Sequence, residues 1–465
     1  MEHHATYVTE AQREEQLKAI RAFREMEDRP ESYFIVTYGC QMNAHDSEKL
    51  AGLLEEMGMS EAEDRTKADL VLFNTCCVRD NAERRALGNV TWLKELKKEK
   101  PRLLIGVCGC MVQQPGMAEK ILKQYRFIDL AFGTHNLHEL PGMLVRLCEQ
   151  RTRVVSISHE EDLIAEGLPV KRLNSWHAYI TIMYGCNNFC SYCIVPYVRG
   201  RERSRRPDEI LEEVRALVAA GYKDITLLGQ NVNSYGKDLD CGVDFADLLA
   251  EIAQLPGQFW LRFMTSHPKD ASKKLFDTIA RYPKIAKQFH LPFQSGNDRV
   301  LKAMNRHYDS AQYLELVHYG RTLMPDLVLT SDVIVGFPGE TEEEFEDTIK
   351  LIEHVRYDAL FTFIFSPRGG TPAAKMEDPT PKEEKNRRFD RLCEVQNRIS
   401  LEIHQNYIGK TMLVLVDGKD GDQLTARTEG GRLVRMHGDD ALIGQFVHAK
   451  ITGCTTWSLV GELAE

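Results

Sequence analysis

The sequence lacks the features of membrane-spanning and secreted proteins. None of its apolar runs approaches the roughly 20 residues that a helix needs to span a bilayer. Its charged N-terminus has no apolar core of the kind that a signal peptide carries. Tandem repeats and low-complexity tracts are also absent. We therefore expect a cytoplasmic globular protein whose 465 residues form about two to four domains.

The sequence also has no excess of positive charge, since 59 Lys and Arg residues stand against 69 Asp and Glu residues. Phosphate contacts need Lys and Arg, so the net charge of −10 does not by itself indicate a nucleic-acid-binding protein. It does not exclude one, because a local basic patch is sufficient. The 12 cysteines, in a reducing compartment, favour metal ligation over disulfide bonds.

Three closely spaced cysteines follow an apolar run at residues 179–183 that predicts a β-strand. Cys186, Cys190 and Cys193 have the spacing C-x3-C-x2-C. Three thiolates cannot form a closed set of disulfides, and a structural zinc site needs a fourth ligand. A 4Fe–4S cluster accepts one cysteine at each iron, so three cysteines leave one iron open to a reacting molecule. We favour such a cluster over a zinc knuckle that is completed by a remote Cys or His.

From residue 33 to about 150, apolar strand-like runs alternate with helix-like stretches, which predicts a parallel sheet covered by helices. Asp46 is the expected N-cap of one helix, and Gly58 is its expected stop. An amphipathic helix within residues 5–30 ends at Pro30, and it either docks on this domain or binds a partner. The predicted strands are 33–38, 68–73, 103–107 and 127–132, and the predicted helices between them include 46–57 and 82–98.

A cysteine lies at the end of each of three predicted strands. Cys40, Cys76 and Cys110 are separated by 36 and 34 residues, and each interval fits one βαβ repeat of roughly 30 or more residues. The carboxyl ends of parallel strands share one edge of a sheet, with neighbours roughly 4.8 Å apart, so three thiols there could converge on one metal centre. Buried structural cysteines are the alternative. Cys77 and Cys108 adjoin two of these positions, so the spacing alone leaves the ligands ambiguous.

Three further regions follow along the chain. The acidic cluster at residues 160–162, followed by Gly167 and Pro169, predicts a linker over residues 151–172. Residues 173–404 hold six strand–helix units, fewer than the eight of a closed barrel, and predict a partial (β/α)6 barrel with its chemistry on the carboxyl-end loops. Residues 405–465 contain short alternating strands with Gly-containing turns and predict a small all-β barrel. The six strands of the partial barrel are predicted to end near residues 186, 231, 268, 296, 338 and 367.

The strand followed by C-x3-C-x2-C resembles the signature of the radical S-adenosylmethionine (SAM) enzymes. The resemblance implies that the open iron chelates SAM, and that electron transfer then cleaves a sulfur–carbon bond to give a 5′-deoxyadenosyl radical. Phe189 and Tyr192 are expected to shield this cluster from water. Contacts to SAM are predicted for polar residues at the strand ends, with a purely structural hydrogen bond as the alternative for His290. These residues are Gln230, Asn231, Ser266, His290, Gln294 and Asp332.

Several arginines follow the cluster loop directly. Beside an active site, such a run offers a surface that could track the phosphates of an RNA, and a solvated charge run that enters a helix is the alternative. A second basic stretch at residues 94–102 is interspersed with Glu and predicts ordinary protein surface. The arginines predicted to contact RNA are Arg199, Arg201, Arg203 and Arg205.

Longer motifs resemble the methylthiotransferase family of radical SAM enzymes, and within it the MiaB-type tRNA enzymes. The resemblance covers residues 33–464, and the terminal barrel is similar to the TRAM domain, an RNA-binding module. It implies a methylthiotransferase N-terminal domain at 33–150 behind an extension at 1–32, a radical SAM domain at 173–404 and a TRAM-like domain at 405–465. The motifs are 37–43 (TYGCQMN), 74–79 (NTCCVR), 185–193 (GCNNFCSYC) and 195–200 (VPYVRG).

The resemblance further implies that Cys40, Cys76 and Cys110 hold a second 4Fe–4S cluster, with Cys77 and Cys108 as neighbours of the ligands. The implied reaction attaches a methylthio group to C2 of N6-dimethylallyl (isopentenyl) adenosine at position 37 of tRNA. One SAM supplies the methyl group and a second supplies the radical, so the two clusters are expected to face each other with the adenine between them. The expected partners are the tRNA, an electron donor of the flavodoxin or ferredoxin type and a sulfur donor, and the protein is expected to be a monomer.

Two other functions fit the same motifs. A related methylthiotransferase could act on threonylcarbamoyl-adenosine in tRNA or on an aspartate of a ribosomal protein. An iron–sulfur sensor or electron carrier could bind RNA without catalysis. Nucleoside mass spectrometry of tRNA separates the methylthiotransferases from one another, and release of 5′-deoxyadenosine separates an enzyme from a sensor.

Overall fold

The computed structural model describes residues 6–77, 80–158 and 163–464. The start of the predicted N-terminal extension, Val78 and Arg79 of one motif, and the acidic cluster of the predicted linker lie outside these ranges. The chain forms two compact units, and both are built from several segments. The first unit contains Met1–Leu173, Met183–Asn187 and Cys193–Arg205, and the second contains Asn174–Ile182, Asn188–Tyr192 and Arg206–Glu465.

The first unit is built on a six-stranded sheet in which every pairing is parallel, as the alternating pattern predicts. Successive residues of the strand Leu70–Thr75 pack into two apolar clusters, because side chains alternate between the two faces of a strand. Two edge strands were not predicted, since two or three residues show no periodicity. In sheet order the strands are Ser60–Glu61, Ser32–Tyr38, Leu70–Thr75, Leu104–Cys108, Leu130–Phe132 and Val154–Ser156.

Helices and two short strand pairs complete the first unit. Thr9 caps the first helix through a capping box with Gln12, and the buried residues Ile20 and Phe23 pack that helix on the sheet domain, which agrees with the docking interpretation. The strand Leu163–Ile164 pairs with Thr6–Tyr7, so part of the predicted linker is structured within this unit. The other pair is Met183–Tyr184 with Arg203–Ser204, and the helices are Glu10–Glu25, Gln41–Glu56, Asp80–Glu99, Met117–Gln124, Leu140–Gln150 and Val195–Arg199, with a 3-10 turn at Leu137–Glu139.

The helix Gln41–Glu56 begins five residues before its predicted start. Cys40 is its N-cap, so Asp46, predicted to be the N-cap, lies inside the helix and is buried. Gly58 follows the C-cap residue with a φ of +84°, as expected of a stop. The early start escapes the sequence pattern because the first turns bury polar side chains, which breaks the apolar periodicity. These residues are Asn43, His45, Asp46, Ser47, Glu48 and Lys49.

The second unit contains the predicted partial barrel of six parallel strands, divided into two sheets of three. A parallel bridge between Leu261 and Ile285 links the two halves. The sheet orders are Trp260–Phe263, Asp224–Leu228, His177–Thr181 and Gln288–His290, Val328–Val335, Ala359–Ile364. The helices are Pro207–Ala219, Phe245–Ala253, Lys273–Arg281, Asp298–Ala303, Ser310–Leu323, Glu342–Val355 and Lys382–Gln405, with 3-10 turns at Val232–Ser234, Pro268–Asp270 and Pro372–Lys375.

The chain ends in a closed five-stranded barrel, also part of the second unit. Four of its strands match runs that read as strands in the sequence, at 411–416, 423–428, 433–436 and 446–452. The fifth, Leu459–Leu463, was missed because its apolar pattern is short and contains Gly461. That strand closes the barrel by pairing in parallel with Leu433–Met436. In barrel order the strands are Thr411–Asp420, Gln423–Thr428, Leu433–Met436, Leu459–Leu463 and Phe446–Cys454, and Asp440–Leu442 forms a 3-10 turn.

The terminal barrel packs on the first three-stranded sheet of the second unit. Arg262 donates from Nη2 to the carbonyl oxygen of Thr428 over 3.1 Å and from Nη1 to that of Glu429. The rings of Trp260 and Phe446 meet edge to face with centroids 4.7 Å apart. Across the described ranges, no helix is both long and apolar enough to cross a membrane.

Candidate functional site

The three strand-end cysteines of the first unit lie along one edge of its sheet. Cys40 follows the strand Ser32–Tyr38, Cys76 follows Leu70–Thr75, and Cys110 lies two residues beyond Leu104–Cys108. The strands are in register, with Tyr38 opposite Thr75 and Asn74 opposite Cys108. The parallel sheet therefore brings the three loops to neighbouring positions, as the spacing predicts.

The loops that carry Cys40 and Cys76 approach very closely. Gly39 has a φ of +139°, and a Cβ atom at this position would lie 2.5 Å from the Cβ of Cys76. A hydrogen bond from the thiol of Cys76, assisted by the charge on Arg199, lowers the pKa of Cys40 to about 6. Cys40 also lies at the N-terminus of a helix, where the helix dipole favours negative charge. These surroundings therefore favour the anionic form of Cys40.

Two buried asparagines hold these loops together. Asn43 donates from Nδ2 to Oδ1 of Asn74 over 3.0 Å, and Asn74 donates back to the carbonyl oxygen of Asn43 over 2.8 Å. Thr75 donates from Oγ1 to the carbonyl oxygen of Cys108 over 2.8 Å, which ties the second strand end to the third. Both asparagines stand in motifs that the sequence analysis quoted, but their mutual pairing becomes visible only in the folded sheet.

Arg199 reaches the same edge of the sheet. Its Nε donates to Sγ of Cys110 over 3.1 Å, and its Nη2 donates to Oδ2 of Asp46 over 2.7 Å. Both charged side chains are almost fully buried. Burial raises the pKa of Cys110, and the charge on Arg199 opposes that shift. Arg199 is therefore a member of the cysteine site.

The predicted arginine surface is correspondingly smaller than expected. Arg203 is buried and donates from Nη1 to the carbonyl oxygens of Arg199 and Arg201, at 2.9 and 3.0 Å. Arg205 is buried and pairs with Glu166. The strand Arg203–Ser204 turns these side chains inward, so they bind partners within the chain, as Arg199 does. Of the four arginines predicted to contact RNA, Arg201 alone is exposed.

Cys77 and Cys108, the chain neighbours of two of the strand-end cysteines, are also buried, and Cys110 shares an apolar cluster with Cys77. Each is buried and belongs to an apolar cluster on one face of the sheet. Burial raises the pKa of Cys108 well above its usual value. The exclusion of these two cysteines from the ligand set remains a prediction of the family resemblance.

In the first unit, the start of the C-x3-C-x2-C loop is held by the strand pair Met183–Tyr184 and Arg203–Ser204. The backbone N–H of Cys186 donates to the carbonyl oxygen of Gly200 over 3.1 Å. Gly185 has a φ of +76°, and a Cβ atom there would lie 1.9 Å from the carbonyl oxygen of Arg201. Only glycine permits this approach, so the residue before Cys186 fixes where the loop begins.

In the second unit, the segment Asn188–Tyr192 is anchored by residues 304–306. Asn305 donates from Nδ2 to the carbonyl oxygens of Asn188 and Phe189, at 3.2 and 2.9 Å. Arg306 is buried and donates from Nη1 to Sγ of Cys190 over 3.4 Å. Arg306 was not predicted, because nothing in the sequence links it to a cysteine 116 residues away.

The two aromatic residues of the cluster loop are half-buried. Tyr192 packs against an apolar cluster of the second unit that includes Met304 and Phe337. Phe189 adopts a φ of +45°, an uncommon backbone conformation for a bulky residue. That strained residue lies directly before Cys190, at a position where the backbone must present the cysteine.

The carboxyl ends of the barrel strands carry buried polar atoms without hydrogen-bond partners. Such an atom is costly, by about 1–3 kcal/mol, unless a ligand or water satisfies it. Four such atoms lie at these strand ends in the described part of the second unit. One of their residues, Asn233, lines a cavity of about 300 Å³ together with Lys237 and Asp270. The atoms are Oδ1 of Asn231, Oδ1 of Asn233, Nε2 of His267 and Oε1 of Gln294.

The predicted SAM contacts fall into two groups. Asn231 and Gln294 carry unsatisfied buried atoms, and Gln294 has a φ of +66°, so both are suited to hold a ligand. Ser266 donates to the carbonyl oxygen of His290, and Nδ1 of His290 lies 3.0 Å from Oγ1 of Thr330, so these two residues have structural partners. The remaining residues are Gln230, half-buried after its strand, and Asp332, which lies within Val328–Val335 and not beyond its end.

Sequence reasoning missed Asn233. It lies in the 3-10 turn Val232–Ser234, and its Nδ2 is 3.5 Å from the carbonyl oxygen of His267. The sequence feature that could have indicated Asn233 is its position two residues after Asn231, in a loop at the carboxyl end of a strand.

Burial lowers the pKa of His267 far below its usual value, so its imidazole is neutral.

Within the described ranges, no three His, Cys, Asp or Glu side chains are placed to hold one ion. A four-iron cluster takes each cysteine at a different iron, so it needs no point that all three sulfurs reach.

Three family models match successive parts of the chain. Residues 32–133 match an uncharacterized protein family, UPF0004, residues 180–352 match the Radical SAM superfamily, and residues 405–464 match the TRAM domain. The order agrees with the predicted division into an N-terminal sheet domain, a radical SAM domain and a terminal barrel.

Solved structures share the fold at low sequence identity. The radical SAM methyltransferase TsrM from Kitasatospora setae, with tryptophan and a SAM analogue bound, superposes with a TM-score of 0.54 at 15% identity. The alignment covers 84% of this chain and 79% of that one. The cobalamin-dependent radical SAM enzyme OxsB gives a TM-score of 0.50 at 13% identity, over 79% of this chain and 56% of its own. These likenesses confirm the radical SAM fold.

Curated relatives are similar over nearly their whole length. A Clostridium botulinum protein is 52% identical over 92% of this chain and 96% of its own. An Acetivibrio thermocellus protein is 52% identical over 93% and 90%, and a Clostridium perfringens protein is 51% identical over 93% and 98%. All three are named tRNA-2-methylthio-N(6)-dimethylallyladenosine synthase. The prediction made from the motifs is confirmed, and the chain belongs to the family of tRNA-2-methylthio-N(6)-dimethylallyladenosine synthases.

Proposed function

We propose that this protein is a tRNA-modifying transferase that adds a methylthio group to C2 of N6-dimethylallyladenosine at position 37. The observation that carries the proposal is the convergence of Cys40, Cys76 and Cys110 on one sheet edge beside Arg199. The radical SAM fold is shared with methyltransferases, so the fold does not account for sulfur insertion. A second site of three cysteines does, because an iron–sulfur cluster there can present sulfur to the substrate.

The proposed cofactors are two 4Fe–4S clusters and SAM, of which two molecules are used in each turnover. Cys186, Cys190 and Cys193 would hold one cluster, and the strand-end cysteines would hold the other. When bound, these groups supply the one-electron chemistry, the methyl group and the sulfur. The donor sets suit anionic clusters, since a helix N-terminus and Arg199 face the strand-end cysteines and Arg306 contacts Cys190.

The residues of the second unit would bind and orient SAM. Asn231, Asn233 and Gln294 each keep a buried amide oxygen unpaired, and such oxygens can accept hydrogen bonds from the amino and hydroxyl groups of SAM. The neutral imidazole of His267 offers a further polar atom without adding charge. Of the residues proposed from the sequence, Gln230 and Asp332 complete this set, whereas Ser266 and His290 would act by holding the strand ends.

The remaining expectations follow from this function. The substrate is tRNA that carries isopentenyl-adenosine, and Arg201 is the exposed arginine next to the cluster loop that can meet its phosphates. An electron donor of the flavodoxin or ferredoxin type and a sulfur donor complete the reaction, and the protein acts as a monomer in the cytoplasm, where tRNA is found.

Nucleoside mass spectrometry of tRNA from a deletion strain tests the substrate. We expect loss of 2-methylthio-N6-dimethylallyladenosine and accumulation of N6-dimethylallyladenosine, because the reaction that converts the second nucleoside into the first is removed. Expression of the intact chain in the same strain restores the product. An unchanged level of the methylthio nucleoside, with loss of a threonylcarbamoyl derivative instead, would overturn the proposal.

A further inference from the structure

Each set of cysteines has one buried arginine against a sulfur. In the first unit, Nε of Arg199 donates to Sγ of Cys110 over 3.1 Å. In the second unit, Nη1 of Arg306 donates to Sγ of Cys190 over 3.4 Å. Both arginines are 4% exposed. A buried guanidinium that donates to a thiol is an expensive arrangement unless the sulfur carries negative charge.

The two arginines differ in their other partners. Arg199 is paired with the buried carboxylate of Asp46 at 2.7 Å, so its charge is already balanced. Arg306 donates to two neutral oxygens, the carbonyl of Pro292 at 2.7 Å and the hydroxyl of Tyr308 at 3.1 Å. A buried cation with neutral partners needs an anion nearby. An anionic group bound at Cys190 would balance the charge of Arg306.

Charge next to a cluster changes its reduction potential. Reduction of a four-iron cluster adds one negative charge, and hydrogen bonds to the ligand sulfurs favour the reduced form. A guanidinium at one cysteine therefore raises the potential, and a carboxylate that balances the guanidinium weakens the effect. These are interactions of the groups around the ligands, which orient and tune a metal centre without binding it.

We propose that Arg199 and Arg306 are positioning residues, one for each cluster, which act through Cys110 and Cys190 to favour the reduced cluster. The effect of Arg306 is the larger, because Asp46 offsets the charge of Arg199. The inference rests on the proposed function, in which two clusters are present. It assigns to both arginines a task in electron transfer, although one of them was expected to contact RNA.

Redox titration of the reconstituted protein, followed by electron paramagnetic resonance, tests the proposal. The titrations compare the intact chain with Arg306→Gln and Arg199→Gln, and the exposed Arg387→Gln on the helix Lys382–Gln405 is the control. Each signal is assigned to its cluster with two further variants. In each of them, one of the two sets of three cysteines is replaced by Ala. Because Arg199→Gln leaves Asp46 buried and unpaired, the double variant Asp46→Asn/Arg199→Gln is measured beside it.

We expect Arg306→Gln to lower the potential of the cluster at Cys190, shifting its ratio of reduced to oxidised forms by about tenfold or more, which equals about 59 mV for one electron. Arg199→Gln shifts the other cluster in the same direction by less, and each variant leaves the second cluster unchanged. Arg306→Lys, which keeps the charge, restores most of the potential. Arg387→Gln changes neither potential.

Unchanged potentials in Arg306→Gln at full iron content would overturn the inference. An equal shift of both clusters, or loss of iron in Arg306→Lys as well as Arg306→Gln, would also overturn it, because packing and not charge would then be the cause. Failure of the proposed function can be distinguished from failure of this inference. If the intact chain holds only one cluster, the two-cluster function is refuted, but the effect of Arg306→Gln on the cluster at Cys190 can still be measured.

Discussion

Replacing Cys40, Cys76 and Cys110 together by Ala is expected to lower the iron content of the reconstituted protein from about eight atoms per chain to about four. The remaining cluster is expected at Cys186, Cys190 and Cys193, so release of 5′-deoxyadenosine from SAM is expected to continue. Formation of the methylthio nucleoside stops completely, because no sulfur is then presented to the adenine. Iron analysis and nucleoside mass spectrometry of the same preparation measure both outcomes.

The neighbouring cysteines provide a matched control for this variant. Cys77→Ala and Cys108→Ala remove buried thiols that lie next to the proposed ligands in the chain. Each is expected to keep about eight irons and to lose only stability, at a cost of about 1 kcal/mol for the small cavity. An unchanged iron count in the triple variant, or loss of a cluster in Cys108→Ala, would contradict the ligand assignment.

Replacing Arg262 by Ala is expected to destabilise the second unit by about 3–5 kcal/mol, because it breaks a buried ion pair. Nε of Arg262 donates to both carboxylate oxygens of Asp224, at 2.9 and 3.0 Å, and the same side chain donates to the terminal barrel at Thr428. The variant leaves a buried carboxylate and barrel carbonyl groups without their donor. Urea-induced unfolding measures the loss, and hydrogen exchange is expected to increase at residues 428–432.

Lys223→Ala is the control for Arg262→Ala. Lys223 also donates from the same sheet to the barrel, to the carbonyl oxygen of Gly444 over 2.9 Å, but it lies nearer the surface. Its loss is expected to cost about 1 kcal/mol, as for an ordinary hydrogen bond. Equal effects of the two variants would show that the buried pair with Asp224 does not dominate the attachment of the barrel.

The placement of the six proposed cluster ligands could be predicted because it depends on spacing. Cys40, Cys76 and Cys110 recur at the interval of a βαβ repeat, and a parallel sheet converts that interval into positions along one edge. The six parallel strands of the partial barrel were also predicted, since strand-like and helix-like patterns alternate along residues 173–404. Local sequence patterns are therefore sufficient to predict the architecture and the positions of the cysteines.

The surroundings of the cysteines could not be predicted from local sequence. Arg199 stands in a run of arginines that is typical of an RNA-binding surface, and only the pairing with Asp46 and Cys110 shows that it is buried. The start of the helix at Gln41 could not be predicted, because its first turns bury polar residues and lack the usual apolar period. In both cases polar side chains are buried at a proposed site, so their polarity does not indicate exposure to solvent.

The division of the chain has a consequence for its synthesis on the ribosome. Cys110 and Asp46 receive their partner Arg199 from a segment made 89 residues after Cys110. At about 5–20 residues per second, that delay is roughly 4–18 s. Throughout this interval the nascent sheet holds three thiols and a buried carboxylate without their guanidinium. Synthesis of the first unit therefore starts before that of the second unit but ends after the first segment of the second unit has been made. Only then does Arg199 become available to the strand-end cysteines.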